Sequence, residues 1–212
     1  MSLATTVLHG RTLLSALVLI TTHSVGFAEV ETAQKSVPPV ADFPQSETRI
    51  IQGGSFELSN HLGEAITDAD FRSKYLLIFF GYTHCPDICP TDLSVMAQAL
   101  KLLGEEGKNI QPVFITFDPA RDTVERLADY VQNFHPRLIG LTGSKEQTLA
   151  VANRYGVDVA ATYKAELPGS AYSMNHSAFT YFVDQEGNLK LMFRHGTSSS
   201  LMADSIRKYV SK

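Results

Sequence analysis

The run Tyr75-Leu-Leu-Ile-Phe-Phe-Gly-Tyr-Thr-His-Cys-Pro-Asp-Ile-Cys-Pro-Thr-Asp-Leu93 sets an unbroken apolar stretch directly before the only two cysteines of the chain, Cys85 and Cys89. An apolar stretch of strand length ending at a glycine reads as a strand buried on both faces. A helical pattern over Thr91 to Leu103 follows, so the cysteines fall between strand and helix at the carboxyl edge of a sheet, where open α/β sheets place their sites. Pro90 disfavours a helical conformation at Cys89 and suits a first helical position. The expectation is therefore a helix that begins at Pro90, with both thiols on the loop that feeds it. The positive helix end would favour thiolates, the form that binds metals and attacks disulfides.

Two thiols this close support few chemistries. They can form a small reversible disulfide, exchange electrons with another disulfide, or share one soft metal ion. A purely structural staple is the weaker reading, because the stabilisation a disulfide gives falls with the size of the ring it closes.

Outward from this run, strand patterns cover Ser55 to Leu58, Leu76 to Gly81, Ile110 to Phe117, Leu138 to Leu141, Ala178 to Asp184 and Leu189 to Arg194. Helical patterns cover Thr91 to Leu103, Thr123 to Asn133, Lys145 to Tyr155 and Ser199 to Tyr209. The alternation predicts a layered α/β domain. The turn Gln185-Glu-Gly-Asn188 makes the last two strands a hairpin, so the central sheet should be mixed and flanked by helices. An early hairpin near His61 would extend it at the N-terminal side.

Residues 1–28 read as an export signal: Arg11 precedes the apolar run Leu13 to Ile20, and Gly26-Phe-Ala28 offers a small-x-small cleavage pattern. Thr21, Thr22, His23 and Ser24 interrupt the uncharged stretch, which makes a retained membrane anchor the minority reading. No cysteine lies near Ala28 to carry a lipid. Residues 29–48 are polar and rich in proline and read as a linker, leaving 49–212 as one domain with a single core. Removing residues 1–28 takes one arginine and no acid from 18 basic and 22 acidic side chains, a balance of −5 that argues against nucleic acid as a partner.

Three blocks, GYTHCPDICPTDL at 81–93, FITFDPARDT at 114–123 and NHSAFTYFVD at 175–184, resemble in order and spacing the Sco/SenC family. The resemblance covers essentially the whole domain. It implies a thioredoxin-like fold and export into the bacterial periplasm, soluble or anchored by the N-terminal segment. It also implies one copper ion, Cu(I) and in some states Cu(II), held by Cys85, Cys89 and His176. The implied task is assembly of the binuclear copper centre in subunit II of cytochrome c oxidase, by delivering copper, by reducing that centre's cysteines, or by both. Other exported copper chaperones and thioredoxin-like reductases are the further partners it suggests.

The donor chemistry agrees with that implication. Thiolates are soft ligands that select Cu(I), and an imidazole completes a three-coordinate site; structural zinc would call for four ligands. His176 heads a strand after a loop and can be presented at the sheet edge. Among its rivals, His84 adjoins Cys85 but should point away from it, and reads as an outer partner of the site. His61 and His195 read as surface residues, and His135 as a protonated imidazole closing a helix.

Asp118 ends a strand expected beside the cysteine strand. It reads either as an outer partner of the site or as a turn in which Arg121 and Asp122 make local hydrogen bonds. Asp87 reads as a solvated loop residue. The family commonly carries aspartate before the histidine, and this chain has Asn175, which removes a negative charge beside the metal and lowers the histidine's basicity. Tyr163, Tyr172 and Met174, in the loop before Asn175, are candidates for gating or docking.

Two other classes compete with copper delivery. One is an exported thiol-disulfide oxidoreductase in which Cys85 and Cys89 attack and resolve; redox thioredoxins, however, space their cysteines by two residues and carry a cis proline before the later strand. The other is a peroxide reductase, suggested by Cys89-Pro90-Thr91. It is weakened by Pro86, which stands where peroxiredoxins place threonine or serine.

Overall fold

The computed structural model describes residues 40–42, 55–157 and 178–211, with 40–42 described by backbone alone. The axis is β4 (Tyr75–Gly81). Leu77, Ile78 and Phe79 are fully buried and Phe80 is 1% exposed, the two-sided burial that a continuous apolar run requires. On one side β4 pairs in parallel with β5 (Ile110–Thr116), and β5 pairs in parallel with β6 (Ile139–Thr142). On the other side it pairs antiparallel with β7 (Phe179–Val183), which continues antiparallel to β8 (Leu189–Arg194).

The sheet is extended at both edges. An antiparallel hairpin of β2 (Glu57–Asn60) and β3 (Ala65–Thr67) joins β6, and β1 (Val40–Asp42) joins β8. Among the described residues this gives eight strands in the order β1-β8-β7-β4-β5-β6-β2-β3. The sheet is mixed, as the β7–β8 hairpin requires. In its turn, Asp184 Oδ1 accepts the N–H groups of Glu186 and Asn188 at 3.0 and 2.8 Å, and Gly187 takes the left-handed conformation at φ 91°. That self-closing Asp turn sets the hairpin register. Val40–Asp42 lies within the stretch read as a linker; the rest of 29–48 falls outside the described residues, as does the export segment 1–28.

The helices are α1 (Ile88–Leu103), α2 (Val124–Val131), α3 (Lys145–Arg154) and α4 (Ser199–Val210). Three have side-chain N-caps: Thr123, Ser144 and Ser198 accept the N–H groups of Arg126, Gln147 and Leu201, satisfying amides that a helix start leaves unpaired. α1 packs on α4, and α2 on β6.

The start of α1 corrects the sequence expectation. The helix opens at Ile88, not Pro90, so Cys89 sits in its first turn and only Cys85 is on the loop. A proline within the first turn gives up an N–H that has no intrahelical acceptor, so the bias against a helical residue before proline is overridden at low cost. Among the described residues, no helix is long and apolar enough to cross a membrane.

Candidate metal centre

The two thiols differ in environment because of where α1 begins. Cys89 is fully buried, and its Sγ presses on Gly81 at the end of β4 so closely that a Cβ there would lie 2.8 Å from the sulfur and 2.9 Å from the Phe114 ring. Only glycine leaves room for the sulfur. Cys85 is half-buried at the mouth of the same helix. Its N–H donates to the Tyr82 carbonyl at 3.2 Å, and the Cys89 N–H donates to its Sγ at 3.4 Å. No disulfide links the two sulfurs.

The electrostatics follow from that placement. The Cys85 thiol is lowered from 9.0 to about 5, chiefly by a hydrogen bond from the Cys89 thiol, with the amides of Asp87, Cys89 and Ile88 adding to it and partial burial opposing it. The Cys89 thiol moves upward, because its proton is engaged by Cys85, its sulfur is buried and Cys85 carries charge beside it. The pair thus sets a half-buried thiol of lowered pKa beside a fully buried one of raised pKa at a helix N-terminus, the environment that makes a cysteine nucleophilic and ligating.

The loop before Cys85 is anchored by residues that the sequence patterns did not single out. Thr83 N–H and hydroxyl donate to the carboxylate of buried Asp122 at 3.0 and 2.6 Å, and the Thr116 hydroxyl donates to it at 2.6 Å. Arg126 Nε donates to Thr83 Oγ1 at 3.1 Å. No periodicity marks such a contact, since Thr83 and Asp122 belong to different elements and meet only because β4 and β5 are neighbours.

The other expected site residues are placed as follows. His84 is exposed, with Nδ1 3.2 Å from Thr83 Oγ1 and 3.8 Å from Asp122 Oδ1. Asp118 is buried. Its carboxylate pairs with Arg121 Nε, its N–H donates to Thr116 Oγ1, and its carbonyl accepts from Arg121 and Asp122, so it forms the turn foreseen as one of its two readings. Arg121 also lies over the Tyr82 ring, 5.6 Å from its centroid. Asp87 is exposed and makes no side-chain cap to α1. His176 and Asn175 lie outside the described residues, together with Tyr163, Tyr172 and Met174. Among the described residues, no group of three or more His, Cys, Asp or Glu side chains is arranged to hold a metal ion.

Three histidines make contacts that their sequence positions do not announce. His195 is exposed, as expected of a surface residue, and its Nδ1 lies 2.9 Å from Oδ1 of Asp92, a buried carboxylate in the second turn of α1 whose pKa burial raises against the lowering effect of the histidine. His135 does not serve as a protonated helix end. Its Nδ1 accepts the Arg137 N–H at 3.1 Å, and burial and the Arg137 charge hold its pKa below the ordinary value. His61 Nδ1 accepts the Gly140 N–H at 3.2 Å and ties the β2–β3 turn to β6.

A mixed sheet with one cysteine on the loop after β4 and another in the first turn of α1 defines a thioredoxin-like dithiol protein. Comparison with known proteins then fixes the family: the SCO1/SenC family model matches residues 44–211, and the chain belongs to that family. It is 41% identical over 160 residues to the mitochondrial SCO2 homolog of Bos taurus, covering 74% of this chain and 59% of that protein. It is 37% identical to the SCO2-like protein of Rickettsia conorii, covering 76% of this chain and 78% of that protein. Among solved structures it is similar to Arabidopsis thaliana ScoI with copper bound, at 37% identity and a TM-score of 0.70, covering 76% of this chain and 98% of that one. The chain thus spans about three fifths of the length of the mammalian relative.

Proposed function

We propose that this protein carries copper for cytochrome c oxidase assembly, binding one ion through Cys85, Cys89 and His176 and passing it to the binuclear copper centre of subunit II. The observation that carries this reading is the asymmetric pair of free thiols at the start of α1, where the half-buried Cys85 sulfur accepts the N–H of the buried Cys89 at 3.4 Å. Two soft sulfur donors suit Cu(I), and an imidazole completes a three-coordinate set that also accepts Cu(II). The metal is cargo, so a ligand set short of a closed tetrahedron serves release. The copper-bound ScoI relative supports the same assignment. Asn175 in place of the usual aspartate leaves the ligand set intact and weakens the attraction for Cu(II).

On this reading residues 1–28 direct export to the periplasm, 29–48 tether the domain, and 49–212 do the chemistry. His84 and Asp118 then act from outside the ligand set, through the loop and the strand end they occupy.

A second reading is favoured by the different burial of the sulfurs. The half-buried Cys85, as thiolate, attacks a partner disulfide, forming a mixed disulfide and releasing one partner thiolate. Cys89 loses its proton and attacks the Cys85 sulfur, closing the Cys85–Cys89 disulfide and releasing the second partner thiol, so two electrons pass to the partner. The two readings separate in cells lacking the gene, where oxidase activity should fall and the wild-type gene should restore it. Copper delivery predicts that Cys85→Ala and His176→Ala both fail to restore activity. Full restoration by His176→Ala, with failure of Cys85→Ala, would instead establish thiol reduction as the task.

A further inference from the structure

We propose that Asp122 is the positioning residue of the cysteine loop, holding Thr83 so that the Cys85 sulfur stays on the Cys89 N–H in the first turn of α1. The inference concerns the reduced, metal-free dithiol and stands apart from what the site carries.

Asp122 is fully buried, yet its carboxylate serves no helix. α2 is capped by Thr123, whose hydroxyl accepts the Arg126 N–H at 3.2 Å. The carboxylate turns instead toward the cysteine loop. Oδ1 accepts the Thr83 hydroxyl at 2.6 Å, and Oδ2 accepts the Thr83 N–H at 3.0 Å and the Thr116 hydroxyl at 2.6 Å. Among the described residues, the only Lys, Arg or His side-chain nitrogen within 4 Å of it is His84 Nδ1, at 3.8 Å. A buried carboxylate is costly unless hydrogen-bonded, and hydrogen bonds to a charged acceptor are about twice as strong as neutral ones. Two of the three bonds that satisfy this carboxylate come from Thr83, two residues before Cys85, so loop geometry and carboxylate solvation are one constraint.

The backbone of Asp122 is fixed as well. Its N–H donates to the Asp118 carbonyl at 3.0 Å, and its own carbonyl accepts the Thr142 hydroxyl at 3.0 Å. The hub therefore refers the loop to the ends of β5 and β6. Arg126 closes it from α2 by donating to Thr83 Oγ1, and Thr83 Oγ1 also meets Nδ1 of His84. The Thr83 hydroxyl is the single atom through which carboxylate, guanidinium and imidazole all act on the loop.

The test is the rate at which iodoacetamide modifies Cys85 in the reduced, metal-free full chain, read by peptide mass, beside the melting temperature. Thr83→Val removes the hydroxyl at constant shape and should slow modification by about tenfold, because the loop loses the bond that fixes the Cys85 sulfur on the Cys89 N–H. Thr83→Ser should restore the rate, and Asp122→Asn should slow it. Ile206→Val, in the buried core of α4, should lower the melting temperature and leave the rate unchanged. Modification of Thr83→Val at the wild-type rate would overturn the proposal. So would an equal slowing by Ile206→Val, which would show that lost stability alone explains the effect. Should Asp122→Asn fail to fold, the Thr83 pair decides.

Discussion

At the scale of single residues, the Cys89 thiol beside Cys85 lowers the pKa at the half-buried position, and the same contact raises it at the fully buried one. It makes the pair's acidity a joint property, since coupled groups titrate together. The Cys85 pKa is about 5 when folded against an ordinary 9.0, so its contribution to stability is complete above pH 9 and is lost as pH falls through about 5. Cys89 has the opposite sign: its contribution is present below pH 9 and is lost as pH rises through its higher folded value. Between pH 5 and 9 the reduced, metal-free protein should therefore gain stability with rising pH through Cys85. Urea denaturation across that window measures the slope, and Cys85→Ala should flatten it; a slope unchanged by the substitution would remove the thiolate from the account.

That the two cysteines stand together where a strand gives way to a helix was legible in the sequence. Which of them is the thiolate was not, because the answer turns on whether α1 starts before or after Cys89. A local rule about residues preceding proline pointed one residue pair too far, and tertiary packing of the sulfur on Gly81 decided otherwise.

At the scale of elements, the strands and helices of the domain were readable because their apolar spacing is strong. Continuous runs marked the buried parallel core of β4 and β5, and Gln185-Glu-Gly-Asn188 marked the β7–β8 turn, though not the part Asp184 plays in closing it. Contacts that join elements distant in sequence were not readable. Asp92 and His195 are such a pair: they link α1 to the end of β8, and nothing in either local pattern announces the other. Removing the histidine strands the buried Asp92 carboxylate, whose other oxygen has no hydrogen-bond partner among the described residues. His195→Ala should therefore cost about 1–3 kcal/mol in urea denaturation at neutral pH, and adding Asp92→Asn should recover part of the loss. A loss confined to a few tenths of a kcal/mol, with no recovery in the double variant, would show that the contact holds nothing together.

At the scale of the whole molecule, the fold brings two sulfur donors to one sheet edge and, by the family resemblance, a nitrogen donor from a strand at the far end of the sequence. β7 follows His176 and pairs directly with β4, which precedes the cysteines. The topology thus returns the chain, at Phe179, to pairing with the strand that leads into the cysteines.

The central claim is that Cys85, Cys89 and His176 form one copper site, and a Cu(I) competition titration of the reduced, purified protein tests it most directly. Copper affinity depends on having the deprotonated ligand set intact, so removing one ligand of three should weaken binding by at least about tenfold. The account predicts one equivalent bound by the wild-type protein, loss of that binding in Cys85→Ala and Cys89→Ala, and marked weakening in His176→Ala. Wild-type affinity in His176→Ala would contradict the three-ligand site.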